Sequence, residues 1–255
     1  MNGFYALVLV SLSCAMTMAQ DVTFLGEVHD NPHHHRVQAE HVAKLSPAAL
    51  VFEMLTPAQA DGEVPPYFDE PAQLGEHLGW DASGWPDFSF YAPIFAAAPE
   101  ARIYGAGVPR DQARKGLAQG LTKSFGPQAK RFGLDQPLPD REQAAREALQ
   151  MAAHCDALPA EMLPGMVDIQ RLRDAGLARA ALRALRETGG PVAVITGNGH
   201  ARADWGAPAL LAGAAPGIEI VTLGQTEGGA PLDGMFDTVL SSPAAPRDDP
   251  CAAFR

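Results

Sequence analysis

Two short segments carry the residue types from which proton-transfer or metal chemistry is made. Gly26-Glu27-Val28-His29 follows the apolar run Val22-Thr23-Phe24-Leu25, and Gly197-Asn198-Gly199-His200 follows Val192-Ala193-Val194-Ile195. Each reads as a buried strand, a Gly that permits a sharp exit, and an imidazole three residues on. A third run, Ala49-Leu50-Val51-Phe52, ends on Glu53. In an open parallel sheet ligands collect beyond the carboxyl ends of the strands. The pattern therefore predicts one rim cluster of Glu27, His29, Glu53 and His200. Imidazole and carboxylate are ordinary ligands of a divalent ion, so His29, His200 and Glu53 form a candidate metal set. The same four residues also suit metal-free catalysis by a Glu–His pair. Helix capping and loop hydrogen bonding are the alternative roles for each.

The elements that must hold this cluster are legible in the same way. Apolar or aromatic runs recur at 22–25, 49–52, 102–104, 192–195 and 218–223, with a sixth at 236–240. Most are continuous, not alternating, which suits strands covered on both faces. Helical patterns lie between them at 36–45, 109–119, 141–154, 159–187 and 205–211. Strands alternating with helices imply βαβ units, and hence an α/β fold of three layers: a mostly parallel central sheet flanked by helices. Asn31-Pro32 supplies a cap and a first helical residue, and Gly189-Gly190-Pro191 stops the longest helix. The span 119–156 has little β pattern and is expected to form a helical insertion over one end of the sheet. No linker divides residues 20–255, which read as a single domain.

The chain has 255 residues, 30 acids against 19 bases, and a formal net charge of −11. That balance argues against nucleic acid and anionic membrane surfaces as partners. Residues 1–19 contain no charged side chain and end on Thr17-Met18-Ala19, the pattern of a signal peptide cleaved after Ala19. The expected location is then periplasmic or otherwise extracytoplasmic. Ser11-Leu12-Ser13-Cys14 is an imperfect lipobox, and membrane association would require acylation of Cys14. The remaining cysteines, Cys155 and Cys251, are either a disulfide or two unpaired thiols; a bridge would pin a tail rich in Pro, Ala and Asp.

Three further segments hold unusual side chains. His33-His34-His35 point in different directions on a helix and read as a partly solvated first turn, with metal or haem contact as the sharper alternative. Gly79-Trp80-Asp81 and Gly84-Trp85-Pro86, before Phe88-Ser89-Phe90-Tyr91, read as an aromatic connector that either caps the core or walls a ligand. Met162 and Met166 stand four apart on a helical stripe, just after His154-Cys155; Met is the adaptable residue at sites for large apolar ligands.

Together, Leu25 to Pro32, Val51-Phe52-Glu53-Met54, Gly79 to Phe95, His154-Cys155 with Met162 to Met166, and Gly197 to His200 with Asp204-Trp205-Gly206 resemble the ChaN family, from about residue 22 to 251. This family of iron-regulated haem-binding proteins lies in the wider Tiki and erythromycin-esterase-like superfamily. The resemblance implies a three-layer α/β fold, haem at an exposed pocket, a role in haem or iron uptake, and a homodimer in which two haems can stack. It implies a tyrosine on the iron; Tyr91 matches the aromatic motif, Tyr67 is second, and Tyr104 falls in an expected strand. His154, Met162 and Met166 take the place of pocket residues, with Met or His as a second axial group. In the hydrolytic branches the two Gly-x-x-His motifs and strand-end glutamates are the active site, so a metal-assisted peptidase or esterase using Glu27, His29, Glu53 and His200 stands as the alternative function.

Overall fold

The computed structural model describes residues 20–63, 70–249 and 251–252. Among these residues six strands form: β1 (Val22–Glu27), β2 (Ala49–Phe52), β3 (Arg102–Gly105), β4 (Val192–Gly197), β5 (Ile220–Glu227) and β6 (Thr238–Ser242). They pair in the order β3-β2-β4-β1-β5-β6, parallel throughout. The helices among the described residues are α1 (Pro32–Leu45), α2 (Pro57–Ala60), α3 (Pro71–His77), α4 (Phe88–Ala97), α5 (Arg110–Gln119), α6 (Leu121–Phe125), α7 (Asp140–Ala153), α8 (Leu163–Thr188), α9 (Asn198–Ala201) and α10 (Ala207–Ala214). None is long and apolar enough to cross a membrane.

Successive strand residues point to opposite faces, so each continuous apolar run feeds two cores. Val22, Phe24, Val51 and Val194 pack with Leu172 and Ala175 of α8 and Leu211 of α10. Leu25, Leu50, Phe52 and Ile195 pack with Val42 of α1 and Tyr91, Ile94 and Phe95 of α4. The fold is the expected three layers. Truncating a fully buried strand ring such as Phe24 to Ala would cost ~3–5 kcal/mol.

The chain leaves β1 toward β2 and β3, and leaves the adjacent β4 toward β5 and β6 on the other side. That reversal opens a crevice where the carboxyl ends of β1 and β4 meet. Glu27 sits opposite Gly197 in the ladder there, and Glu53 continues β2 by donating its N–H to the Ile195 carbonyl.

Local chemistry explains most boundaries. Asn31 caps α1 by accepting from the His33 N–H at 2.8 Å, with Pro32 first in the helix. Gly189, at φ 83°, ends α8 in the left-handed region. Three expectations need correction. The Trp-rich loop keeps only one helical turn, at Trp80–Ala82, but the aromatic run after it is a helix that was not expected: Asp87 accepts the Ser89 N–H at 2.8 Å and starts α4, whose side chains at 88, 91 and 95 are buried. The insertion is helical but packs over α8, because α8 itself occupies that face of the sheet; Phe125, Phe132 and Leu134 share its core. The first turn of α1 is not solvated at His34 and His35, which are fully buried.

Cys155 and Cys251 form a disulfide across 96 residues of chain. The tail before it is also held by charge. Arg247 pairs with Asp30 and with Glu227, and Asn31 donates to Glu227 and to the Pro243 carbonyl.

Candidate functional site

The switch-point crevice gathers the four residues expected there. Glu27, last in β1, lies in the interior, and its Oε1 accepts from His29 Nδ1 and from the Tyr91 hydroxyl, both at 2.7 Å. Its Oε2 faces His35 Nδ1 at 3.3 Å. His35 Nε2 in turn donates to the His29 carbonyl at 2.9 Å. The Gln38 amide nitrogen donates to Leu25, so its oxygen at 3.2 Å from His35 Nδ1 can only accept. Both ring nitrogens of His35 thus face acceptors; burial opposes charge on the ring, but Glu27 outweighs it and raises the His35 pKa. Burial opposes the charge on Glu27, but His29 and His35 outweigh it and hold the carboxyl far below its usual range. Burial likewise opposes charge on His29, yet the bond to Glu27 and the Glu53 charge push its pKa up to about 9.

Glu53 lies between the two imidazoles. Its Oε2 accepts from the Thr196 hydroxyl at 2.6 Å and the Gly197 N–H at 2.9 Å. His29 Nε2 stands 4.0 Å from that oxygen, and His200 Nε2 stands 3.6 Å from Oε1. Despite burial, the His200 and His29 charges lower the Glu53 pKa. His200, on α9, donates from Nδ1 to Asp174 Oδ1 at 2.7 Å. Glu53 and Asp174 outweigh burial and raise its pKa. A side chain at Gly197 would place Cβ 2.9 Å from His29 Nε2, so that Gly is needed for the imidazole to reach the floor.

Above this floor is a cleft of about 680 Å³ bordered by Trp85, Val108, Arg110, Arg173 and Leu177. Trp85 tilts against His29 with ring centroids 4.8 Å apart. Trp80 is buried, donating to the Pro86 carbonyl at 2.8 Å. The two readings of the aromatic segment thus divide between its tryptophans: one caps the core and one walls the cleft.

Other sequence expectations fall elsewhere. Tyr91 is fully buried and its hydroxyl is given to Glu27, whose charge, added to burial, drives the phenol pKa far upward. A ligand to haem iron must present an accessible tyrosinate, so Tyr91 is corrected to a structural partner of Glu27. Tyr104 donates to Glu187 at 2.9 Å, and Tyr67 lies outside the described residues. His29, His200 and Glu53 do come together, but not as an ion cage: among the described residues no group of three or more His, Cys, Asp or Glu side chains is placed to hold a metal. One Glu53 oxygen is already committed to two donors. His33 remains at the surface against Arg36, and His34 accepts the Val28 N–H at 2.9 Å, fixing the strand-exit loop.

His154 caps the end of α7, away from the residues that border the cleft. Its Nδ1 is 2.8 Å from the Gln150 carbonyl, which can only accept, so Nδ1 donates there and Nε2 is the nitrogen left for another partner. Met162 is 49% exposed and Met166 half-buried. Leu117, 50% exposed, lies against Gly165, where an added Cβ would meet it at 3.0 Å.

Sequence reasoning missed Asp174 and His35 as members of the cluster. Asp174 had a readable signal. It occupies the buried stripe of α8 with Leu163, Val167, Ala178 and Ala181, and an acid there requires a partner.

Residues 14–211 match the model of a family described as haem-binding uptake, Tiki superfamily, ChaN. Among solved structures, the chain is similar to ChaN of Campylobacter jejuni, described with cofacial haem binding, at 19% identity and TM-score 0.62 over 85% of this chain and 86% of that one. It is also similar to the type III effector HopBA1, at 12% identity and TM-score 0.47 over 88% of each chain. A Bacillus cereus protein shares 15% identity at TM-score 0.34, over 82% of this chain and 66% of that one. No curated protein matches the chain.

Proposed function

The chain belongs to the ChaN family of haem-binding uptake proteins in the Tiki superfamily, and from that premise we propose that it is an exported haem-binding protein serving haem or iron uptake. Family membership over residues 14–211 is the observation that carries this reading. Export is supported by the charge-free leader and by the Cys155–Cys251 bridge, since disulfides persist in oxidising compartments.

The haem contacts proposed are His154, Met162 and Met166. Haem needs an apolar face for the macrocycle and a donor for iron. Met162 and Leu117 are large apolar side chains left open to solvent near the start of α8, and Met166 is partly open beside them. His154 offers an imidazole whose other nitrogen is already anchored on a backbone carbonyl, the arrangement by which metal-binding histidines are oriented. Haem, when bound, would supply the iron, and His154 is proposed to ligate it in place of a tyrosine. An exposed macrocycle would also favour a homodimer in which a second copy covers it.

Hemin titration of the mature chain tests this. A shifted Soret band is expected at low-micromolar hemin, lost in His154→Ala and kept in Tyr91→Phe; no spectral change in the wild type would end the reading. Sedimentation with and without hemin tests the dimer.

The two His–carboxylate pairs flanking Glu53 favour a second reading, a hydrolase acting through the strand-end cleft. His29, charged at neutral pH, would be its acid, and His200, oriented by Asp174, would hand protons to Glu53. Hydrolysis assays on His29→Ala and His200→Ala decide it: unchanged activity in both removes the idea.

A further inference from the structure

Away from both regions, a cavity of about 410 Å³ lies between edge strand β3, the C-terminal half of α8 and the helical turn at Ala129–Phe132. Its lining is unlike the rest of this acidic chain. Four guanidiniums, Arg131, Arg179, Arg183 and Arg186, face two carboxylates, Asp61 and Glu187.

The partners of those charges leave two arginines over. Arg183 satisfies both acids, pairing with Asp61 and, at 2.8 Å, with Glu187. Glu187 also accepts from Tyr104 and from Arg102. Arg131 gives Nε and Nη2 to the Ala214 carbonyl at the end of α10, at 3.1 and 2.8 Å. Arg179 lies 4.0 Å over the Phe125 ring; its guanidinium has one long hydrogen bond, to the Phe125 carbonyl at 3.5 Å, and feels the Asp61 charge from further off. Arg186 has no hydrogen-bond or ion-pair partner among the described residues. Arg179 and Arg186 are two turns apart on the same face of α8. Arg179 is half-buried and Arg186 exposed, and both keep guanidinium donors that no carboxylate hydrogen-bonds; at the half-buried one the dielectric is reduced, where an anion gains most.

We propose that this cavity binds a small polyanion bearing phosphoryl or carboxylate groups, with Arg179 and Arg186 as its guanidinium forks and Tyr104 and Phe132 as its walls. Planar forks match the paired oxygens of either group. The cavity shares the loop at Ala106–Val108 with the strand-end cleft, and Gly176 of α8 packs on that loop. An occupant would therefore sit against the far side of the cleft's wall.

Calorimetric titration of the full chain with inorganic pyrophosphate and, separately, citrate at constant ionic strength tests the site. Saturable one-to-one binding of at least one is expected, weakened about tenfold or more in Arg186→Gln and in Arg179→Gln. It should stay unchanged in Arg141→Gln, an exposed arginine on α7 outside the cavity. Which anion binds separates the phosphoryl from the carboxylate ligand. If neither binds, or if Arg186→Gln binds as the wild type does, the arginines are only a solvated helix face. Should Arg179→Gln misfold through its loss of packing on Phe125, Arg186→Gln, an exposed position, still decides. Hemin spectra of both variants should match the wild type, which keeps this site separate from the haem reading.

Discussion

The crevice at β1 and β4 and the junction of α7 with α8 order their side chains by opposite means. In the crevice, Glu27, His29, His35, Tyr91, Glu53, His200 and Asp174 hold one another through short polar contacts inside the protein. At the junction, the His154 ring has one hydrogen bond, Met162 is open to water, and order comes from a covalent bridge beside them. Chemically dense and ligand-accessible are thus different properties here. A buried network fixes its members but spends many of their donors and acceptors on one another. A sparse surface held by a disulfide can present an imidazole and apolar side chains without burying them.

The largest expected effect breaks the junction. Cys251→Ser opens a loop closed over 96 residues, and chain entropy puts the loss at roughly 4–5 kcal/mol. Urea denaturation should show it, together with weaker hemin binding. An unchanged midpoint would mean that Arg247 and its acids already hold the tail. The next effect breaks the crevice. Glu27→Ala leaves His29, His35 and the Tyr91 hydroxyl without their shared acceptor, and removing one member of a buried charge pair costs ~3–5 kcal/mol. The same denaturation series measures it. Far less loss would mean that water fills the vacated space and replaces the carboxylate.

The pH dependence sharpens the contrast. His29 has its pKa raised from 6.5 to about 9 by folding. Its contribution to stability is complete below pH 6.5 and is lost as pH rises through about 9. The ring is partly exposed, so the full shift is discounted for solvent screening to about 1–2 kcal/mol. His29→Gln should flatten the decline of stability between those limits. A wild-type curve already flat there would remove the ion pair with Glu27 from the account.

Much of this architecture could be read from residue order. Apolar or aromatic runs, most of them continuous, marked the strands, and Gly-x-x-His after two of them marked the crevice, because both signals are local. What stayed hidden depended on partners distant in sequence. Tyr91 matched an aromatic motif, but only the packing of α4 on the sheet shows its hydroxyl spent on Glu27. The place of Asp174 on the apolar stripe of α8 is local and readable, but its partner is not: His200 meets it only once α8 is laid across the sheet. The α4 helix was obscured because its residues are almost uniformly apolar, leaving no polar face to give a period.

The smallest expected effect separates the two regions most cleanly. His154→Ala removes a half-buried ring whose one hydrogen bond goes to a carbonyl four residues back in the chain. Such a change should move stability by no more than about 0.5 kcal/mol. If His154 holds the iron, the same substitution weakens hemin by at least about tenfold, ~1.4 kcal/mol. His29→Gln should do the reverse, changing the pH profile of stability and leaving the Soret titration as it was. Measured side by side, the two variants cross: one moves the spectrum and one moves the denaturation curve. Should His29→Gln abolish the Soret shift while His154→Ala leaves it intact, the haem lies in the crevice and the division between the regions fails.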